Sequence, residues 1–258
     1  MATAVEQGYP WHNMRTALVL AHPGHEVLLH RFMEETRPVV FVLTTGKARD
    51  GELPISTTMR IVRRAGGKIG SIFGRCTDKG LLQAFIRKEK TRFNALAQEL
   101  ADAFLLNGIE FVVGDPAEGI DPAHDLCRLL IDTASAIAAR IQPALKNYEY
   151  PLCSRPMFRA SSKILKVEGE AWFRKYSACK AYAHPVEDVK RIIACWGIDA
   201  LREEQYLRAT PWSIQRRQGI IYTSRNDQPV PAVHFQDHFL PVAHELLSYI
   251  SGNQNTAA

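Results

Sequence analysis

Three short apolar runs constrain this chain most: Ala17-Leu18-Val19-Leu20-Ala21, Val39-Val40-Phe41-Val42-Leu43 and Ile109-Glu110-Phe111-Val112-Val113. Each breaks into a polar turn, and each is followed in the sequence by residues at helical spacing. Runs of this length, bounded by turn residues and free of strict alternation, read as strands buried on both faces. Strands of that kind separated by helices can bury both faces only in a mostly parallel sheet with helices on either side. The expected fold class is therefore α/β, Rossmann-like. No Gly-rich fingerprint follows the first strand, so a dinucleotide cofactor is disfavoured.

The remaining elements fall in order. Helices are expected over 25–36, 56–65 and 124–141, a loop over 49–54, and a short strand over 68–73. A helical pattern over 78–107 breaks near 88–90, with Leu96, Leu100, Phe104 and Leu105 marking its apolar stripe. Beyond 143 the pattern thins to a strand over 148–152 and amphipathic helices over 168–183, 186–196 and 239–250. The reading is one α/β domain over 1–258, with a site-bearing core at about 15–140 and a helical C-terminal part at about 165–252. Residues 1–14 read as a loosely held arm and 251–258 as a frayed end.

Charge and cysteine usage narrow the function classes. The net charge of +5 is dispersed, with clusters over 60–68 and 87–92 and the pair Arg216-Arg217. A nucleic-acid footprint needs a denser basic stripe interleaved with aromatics, so no nucleic-acid partner is expected. Five cysteines are odd in number and never paired as CxxC. They read as buried small hydrophobes in a reducing compartment, not as a disulfide framework or zinc knuckle. No run is long enough to span a membrane and none resembles a signal peptide, so a cytoplasmic location is expected.

Ligand sites in such sheets form at the carboxyl ends of strands. His22 and His25 sit there, on either side of Pro23-Gly24, either as half of a metal site or as a polar loop capping a helix. His124 opens a helix after the fourth strand, behind a loop over 115–125 dense in glycine, proline and carboxylates. If the first and fourth strands are neighbours, the three histidines meet. Three imidazoles and a water make the open, catalytic form of a zinc site.

The segment Ala21-His22-Pro23-Gly24-His25-Glu26 resembles the AHPDDE signature of the PIG-L/LmbE deacetylases, zinc enzymes that remove acetyl groups from N-acetylglucosaminyl substrates. Asp115-Pro116 through Asp121-Pro122-Ala123-His124 is similar to that family's later DP and HPDH motifs, and Thr44-Thr45-Gly46 falls at its Thr-x-Gly strand end. The resemblance covers about residues 15–140. It implies an LmbE-like fold and a metal held by His22, His25 and His124, with Zn2+ as the ion and Fe2+ as an alternative.

It also exposes departures. The family's second ligand is a carboxylate, where this chain has His25, and its general base is an aspartate, where this chain has Gly24. A histidine that assists the tetrahedral intermediate is replaced by Asp121. A three-histidine zinc brings its water to a pKa of about 7, which lessens the need for a base. Asp121 is then the candidate catalytic proton carrier, with an Asx-turn before Pro122 as the plain alternative. Glu26 is the rival base, or else a helix-start residue, and Asp115 either orients a ligating histidine or forms the turn before Pro116. Arg60 falls where the family carries a substrate-binding arginine, in competition with Arg63 and Arg64. His184, His234, His238 and His244 are placed outside the site.

The expected function is a metal-dependent amide hydrolase removing an N-acetyl group from an amino sugar or glycosylated small molecule. The alternatives are a different metal-dependent reaction on another small molecule, or a non-catalytic binder that retains the fold.

Overall fold

The computed structural model describes residues 9–46, 54–152, 162–184, 186–209, 221–222 and 233–252. Most of the loop expected over 49–54, the Arg216-Arg217 pair, Cys153, residues 1–8 of the expected arm and residues 253–258 lie outside them.

The apolar runs form the centre of the sheet. β1 (Thr16–Leu20) and β4 (Phe111–Gly114) are buried at every residue, and β2 (Val39–Thr44) at all but the first. β3 (Lys68–Cys76) is an edge strand with a mixed pattern, and β5 (Lys146–Glu149) is half-buried. These five run parallel in the order β3-β2-β1-β4-β5, so β1 and β4 are neighbours and the strand order reverses between them. At that reversal the helices leave to opposite faces and a crevice opens at the strands' carboxyl ends.

Two apolar clusters cover the sheet. One face carries α3 (Asp78–Ile86), α4 (Lys90–Leu106), α5 (Pro122–Ala138) and α8 (Leu240–Gly252). The other carries α1 (His30–Thr36), α2 (Pro54–Arg64), α6 (Gly169–Lys180) and α7 (Glu187–Trp196). The α4 stripe runs through Phe93, Ala97, Leu100 and Phe104, with Leu96 and Leu105 only flanking it. The helix expected over 25–36 winds first as a tight 3-10 segment, His25–Leu29, before α1 begins. α5 starts two residues before His124, because Asp121 caps it and Pro122, with its preset φ, opens it.

Two expectations need correction. The C-terminal part is not purely helical: β6 (Lys163–Lys166) and β7 (Glu203–Arg208) extend the sheet as antiparallel strands beyond β5, and β8 (Ile221–Tyr222) pairs with β9 (Val233–His234). β7 lacks an apolar signature because its buried Glu204 is satisfied internally. Glu204 pairs with Lys175 Nζ at 2.9 Å and accepts the backbone N–H groups of Arg31 and Phe32 at 2.8 and 2.9 Å. The N-terminal arm, over its described residues, is anchored. Trp11 is buried, with its ring 4.5 Å from Tyr206, 5.4 Å from Phe32 and 5.7 Å from Phe111.

Cys127 is fully buried as expected, Cys76 and Cys179 are half-buried, and Cys195 is exposed; all four are free thiols. Among the described residues no helix is long and apolar enough to cross a membrane.

Candidate metal centre

The crevice between β1 and β4 holds the three histidines. Their ring centroids lie 5.6 Å apart for His22 and His25, 5.1 Å for His22 and His124, and 4.9 Å for His25 and His124. Short backbone connections after two adjacent strands suffice to bring them together. Ala21 N–H, just past β1, donates to Asp115 Oδ2 at 2.7 Å, which ties the two strand ends to each other. The turn that follows needs Gly24, whose φ of 101° lies in the left-handed region.

Each imidazole is fixed differently. His25 is buried, and its Nδ1 lies 3.1 Å from Asp115 Oδ2. Asp115 also accepts the Tyr150 hydroxyl. Burial opposes its charge, but His25, His124 and Tyr150 hold its pKa down at about 2. An ionised Asp115 only accepts, so His25 Nδ1 carries the donated proton. His25 Nε2 then faces Asp188 Oδ2 at 2.9 Å. Burial works against an imidazolium here, yet Asp115 and Asp188 outweigh it and carry His25 up to about 10.

His22 is the outermost of the three, with 19% of its side chain exposed. Its Nδ1 lies 2.9 Å from Asp78 Oδ1 and 3.1 Å from Thr44 Oγ1, and its Nε2 is 3.9 Å from Asp121 Oδ1. Burial again opposes its protonation, and Asp121 and Asp78 prevail, raising it well above the ordinary value. His124 goes the other way. Burial lowers it to about 4, helped by its imidazole neighbours, so it is neutral at physiological pH. Its Nε2 is buried without a hydrogen-bond partner.

That orphaned nitrogen tests whether the residues fit a metal, and they do. A buried imidazole nitrogen with no partner is costly unless something binds it. Four carboxylates (Asp78, Asp115, Asp121, Asp188) surround the three imidazoles, so the cluster is short of positive charge whenever the histidines are neutral. Among the described residues the donor atoms fall into two groups within 4.8 Å of one another: His22, Asp121 and His124, and His25, His124 and Asp188. His124 belongs to both. No such group contains both His22 and His25, so the expected three-histidine set meets around one crevice without closing on one point.

Asp121 combines the two roles weighed for it. Its Oδ1 accepts Ala123 N–H at 2.8 Å, capping α5, and the same atom faces His22. Burial would raise its pKa, but His124, His22 and that N–H hold it well below the usual carboxylate range. Glu26 is fully buried behind the turn, accepting Gly24 N–H at 2.8 Å and the Tyr182 hydroxyl, with Tyr182 bonded in turn to Thr58. It braces the loop. Arg60 is exposed on α2 and donates to Thr57 Oγ1 of its own helix at 2.8 Å. His184, His234 and His244 are exposed, and His238 Nδ1 accepts His234 N–H on the β9 side of the fold.

Asp78, Tyr150 and Asp188 escaped the sequence reading. Asp78 and Tyr150 follow β3 and β5, so the strand-end rule that found the histidines applies to them as well. Asp188 is an ordinary acid in the first turn of α7, and only packing brings it to His25.

A deacetylase triple mutant from the teicoplanin biosynthetic pathway superposes with a TM-score of 0.50 at 12% identity, covering 77% of this chain and 100% of that one. The shared property is the fold. The zinc-inhibited form of teicoplanin deacetylase Orf2 gives 0.47 at 12% identity, covering 76% of this chain and 100% of its own. The A40926 pseudoaglycone deacetylase Dbv21 gives 0.43 at 15%, covering 78% and 98%. No family model matches the sequence, and no curated protein does.

Proposed function

We propose that this chain is a metal-dependent amide hydrolase that removes an N-acetyl group from an amino sugar or a glycosylated small molecule. The observation that carries the reading is the convergence of His22, His25 and His124 at the β1–β4 crevice, with His124 Nε2 buried and unpartnered. Zn2+ is the ion proposed, Fe2+ being the other that imidazole-rich sites of this kind accept. When bound, it would polarise the amide carbonyl and activate water.

The chain's own residues supply the rest. Asp115 holds His25 by Nδ1, and Asp78 holds His22 by Nδ1, which turns both Nε2 atoms inward. Solvent reaches the cluster on the side of Asp78, Asp121 and His22, whose side chains are 40%, 30% and 19% exposed. A substrate acetamide would approach there. Of the two carboxylates on that open side, Asp78 is engaged by His22 Nδ1 at 2.9 Å, and Asp121 is the one assigned to take a proton and pass it to the leaving amine. Arg60, if it meets substrate, does so from the exposed face of α2. The neighbour that shares the fold at a TM-score of 0.50 is named as a deacetylase, which supports this choice of reaction, and a glycoconjugate substrate rests on that analogy.

Two measurements on the purified protein test the reading. Elemental analysis should find about one divalent ion per chain, lost in His124→Ala, the residue common to both donor groups. Acetate should be released from at least one member of a panel of N-acetylated sugars and glycoconjugates. Protein without metal, or metal-loaded protein that releases no acetate from the panel, overturns it.

A further inference from the structure

We propose that Asp188 is a ligand of the metal, closing a donor set of two imidazoles and one carboxylate with His25 and His124. This rests on the metal-dependent reading above and extends it to a part of the chain that carries no motif.

The geometry starts from His25. Its Nδ1 proton is committed to Asp115, so in the neutral ring Nε2 presents a lone pair. That lone pair faces a carboxylate oxygen of Asp188 at 2.9 Å. Two electron-rich atoms at that distance repel unless a cation stands between or beside them, either a proton or a metal ion. The third member, His124, offers a ring nitrogen within 4.8 Å of both, and its Nε2 is buried without a hydrogen-bond partner. One divalent ion would answer all three demands at once. Asp188 is 14% exposed, and Arg191 grips its other oxygen, Oδ1, which leaves Oδ2 aimed at the cluster.

The competing donor group is weaker. Asp121 Oδ1 is already engaged by Ala123 N–H at 2.8 Å and stands 3.9 Å from His22, with nearly a third of the side chain exposed. It caps a helix first.

The placement of α7 also accounts for the altered motif. Positions 24 and 25 hold glycine and histidine, so the first loop brings no carboxylate of its own to the ion. Val186, two residues before Asp188, packs over Gly24 so closely that a β-carbon there would lie 2.6 Å from its Cγ2. The start of α7 therefore fills the space above Gly24 and supplies the missing negative charge from the other side. A set of two histidines and a carboxylate leaves a position open for water or substrate, which suits Zn2+ in a hydrolytic site.

The test uses stripped protein reloaded with Zn2+ under competition by a chromophoric chelator, and with Co2+ read by its visible absorption. Wild type should bind one ion per chain. Asp188→Asn should weaken Zn2+ binding by about a hundredfold or more, as His124→Ala does, and shift the Co2+ band. Asp121→Asn should stay within about threefold of wild type in affinity. Asp188→Glu should hold Co2+ with a displaced band, because a longer carboxylate still ligates; this arm decides the matter if Asp188→Asn does not fold. Wild-type Zn2+ affinity in Asp188→Asn, or an unmoved Co2+ band in Asp188→Glu, overturns the assignment while leaving the metal-dependent reading intact. A wild-type protein that takes up neither ion overturns both.

Discussion

Val186 stands where a side chain on residue 24 would have to go. A β-carbon built on Gly24 would lie 2.6 Å from Val186 Cγ2 and 2.8 Å from Cγ1, and the backbone there is left-handed at φ 101°. Glycine at this position is a packing requirement of the observed fold.

Placing an aspartate at position 24 is therefore expected to destabilise the fold. Gly24→Asp and Gly24→Ala should each cost about 2–4 kcal/mol, from the left-handed backbone and from overpacking together. Chemical denaturation measures this directly. Adding Val186→Ala should return part of the loss, since it removes the crowding and not the backbone strain.

Asp121→Asn separates charge from capping. Asparagine caps a helix about as well as aspartate, so α5 should keep its start and the protein its melting temperature. If Asp121 carries a proton in turnover, acetate release should fall on the order of a hundredfold with metal content unchanged. An unaltered rate and pH profile would confine Asp121 to the cap.

Asp115 is the brace shared by both loops. It accepts Ala21 N–H, the Tyr150 hydroxyl and His25 Nδ1, and it is fully buried. Asp115→Asn should lower Zn2+ affinity about 10- to 100-fold. Tyr150→Phe should act in the same direction and more weakly, both read by chelator competition.

His30 gives the fold an acid-sensitive point away from the site. Burial lowers its pKa, with Lys175 and Arg174 adding to the effect and Glu34 and Glu204 opposing it. The unfolded chain thus accepts a proton near pH 6.5 that the folded chain resists. The stability tied to neutral His30 is full above that value and is lost as the pH falls through the lowered one. Urea midpoints measured from pH 7.5 down to 5 should drop more steeply for wild type than for His30→Gln.

The parallel half of the sheet was legible because β1, β2 and β4 are buried on both faces and say so in unbroken apolar runs. The histidines were legible because strand ends in such a sheet are where ligands go. β7 was not, since Glu204 and Gln205 are buried in it, and a buried carboxylate with a lysine partner looks like surface in a sequence. The helix of Asp188 was foreseen, but its role was not: an acid in a helix's first turn has an ordinary local reason to be there. The loosely held arm failed on Trp11: besides its local stacking partner Tyr9, the rings that enclose it come from α1, β4 and β7 and share no local pattern with it.

The contact between His25 and Asp188 spans 163 residues of chain. During synthesis every histidine of the crevice emerges by the time α5 is made, while Asp188, the second of the two acids that meet His25, is still untranslated. A nascent chain at that stage displays the imidazoles with one wall of their enclosure missing. Completion of the cluster therefore waits for α7, so a shortened gene product ending after α5 would keep all three histidines and lack Asp188.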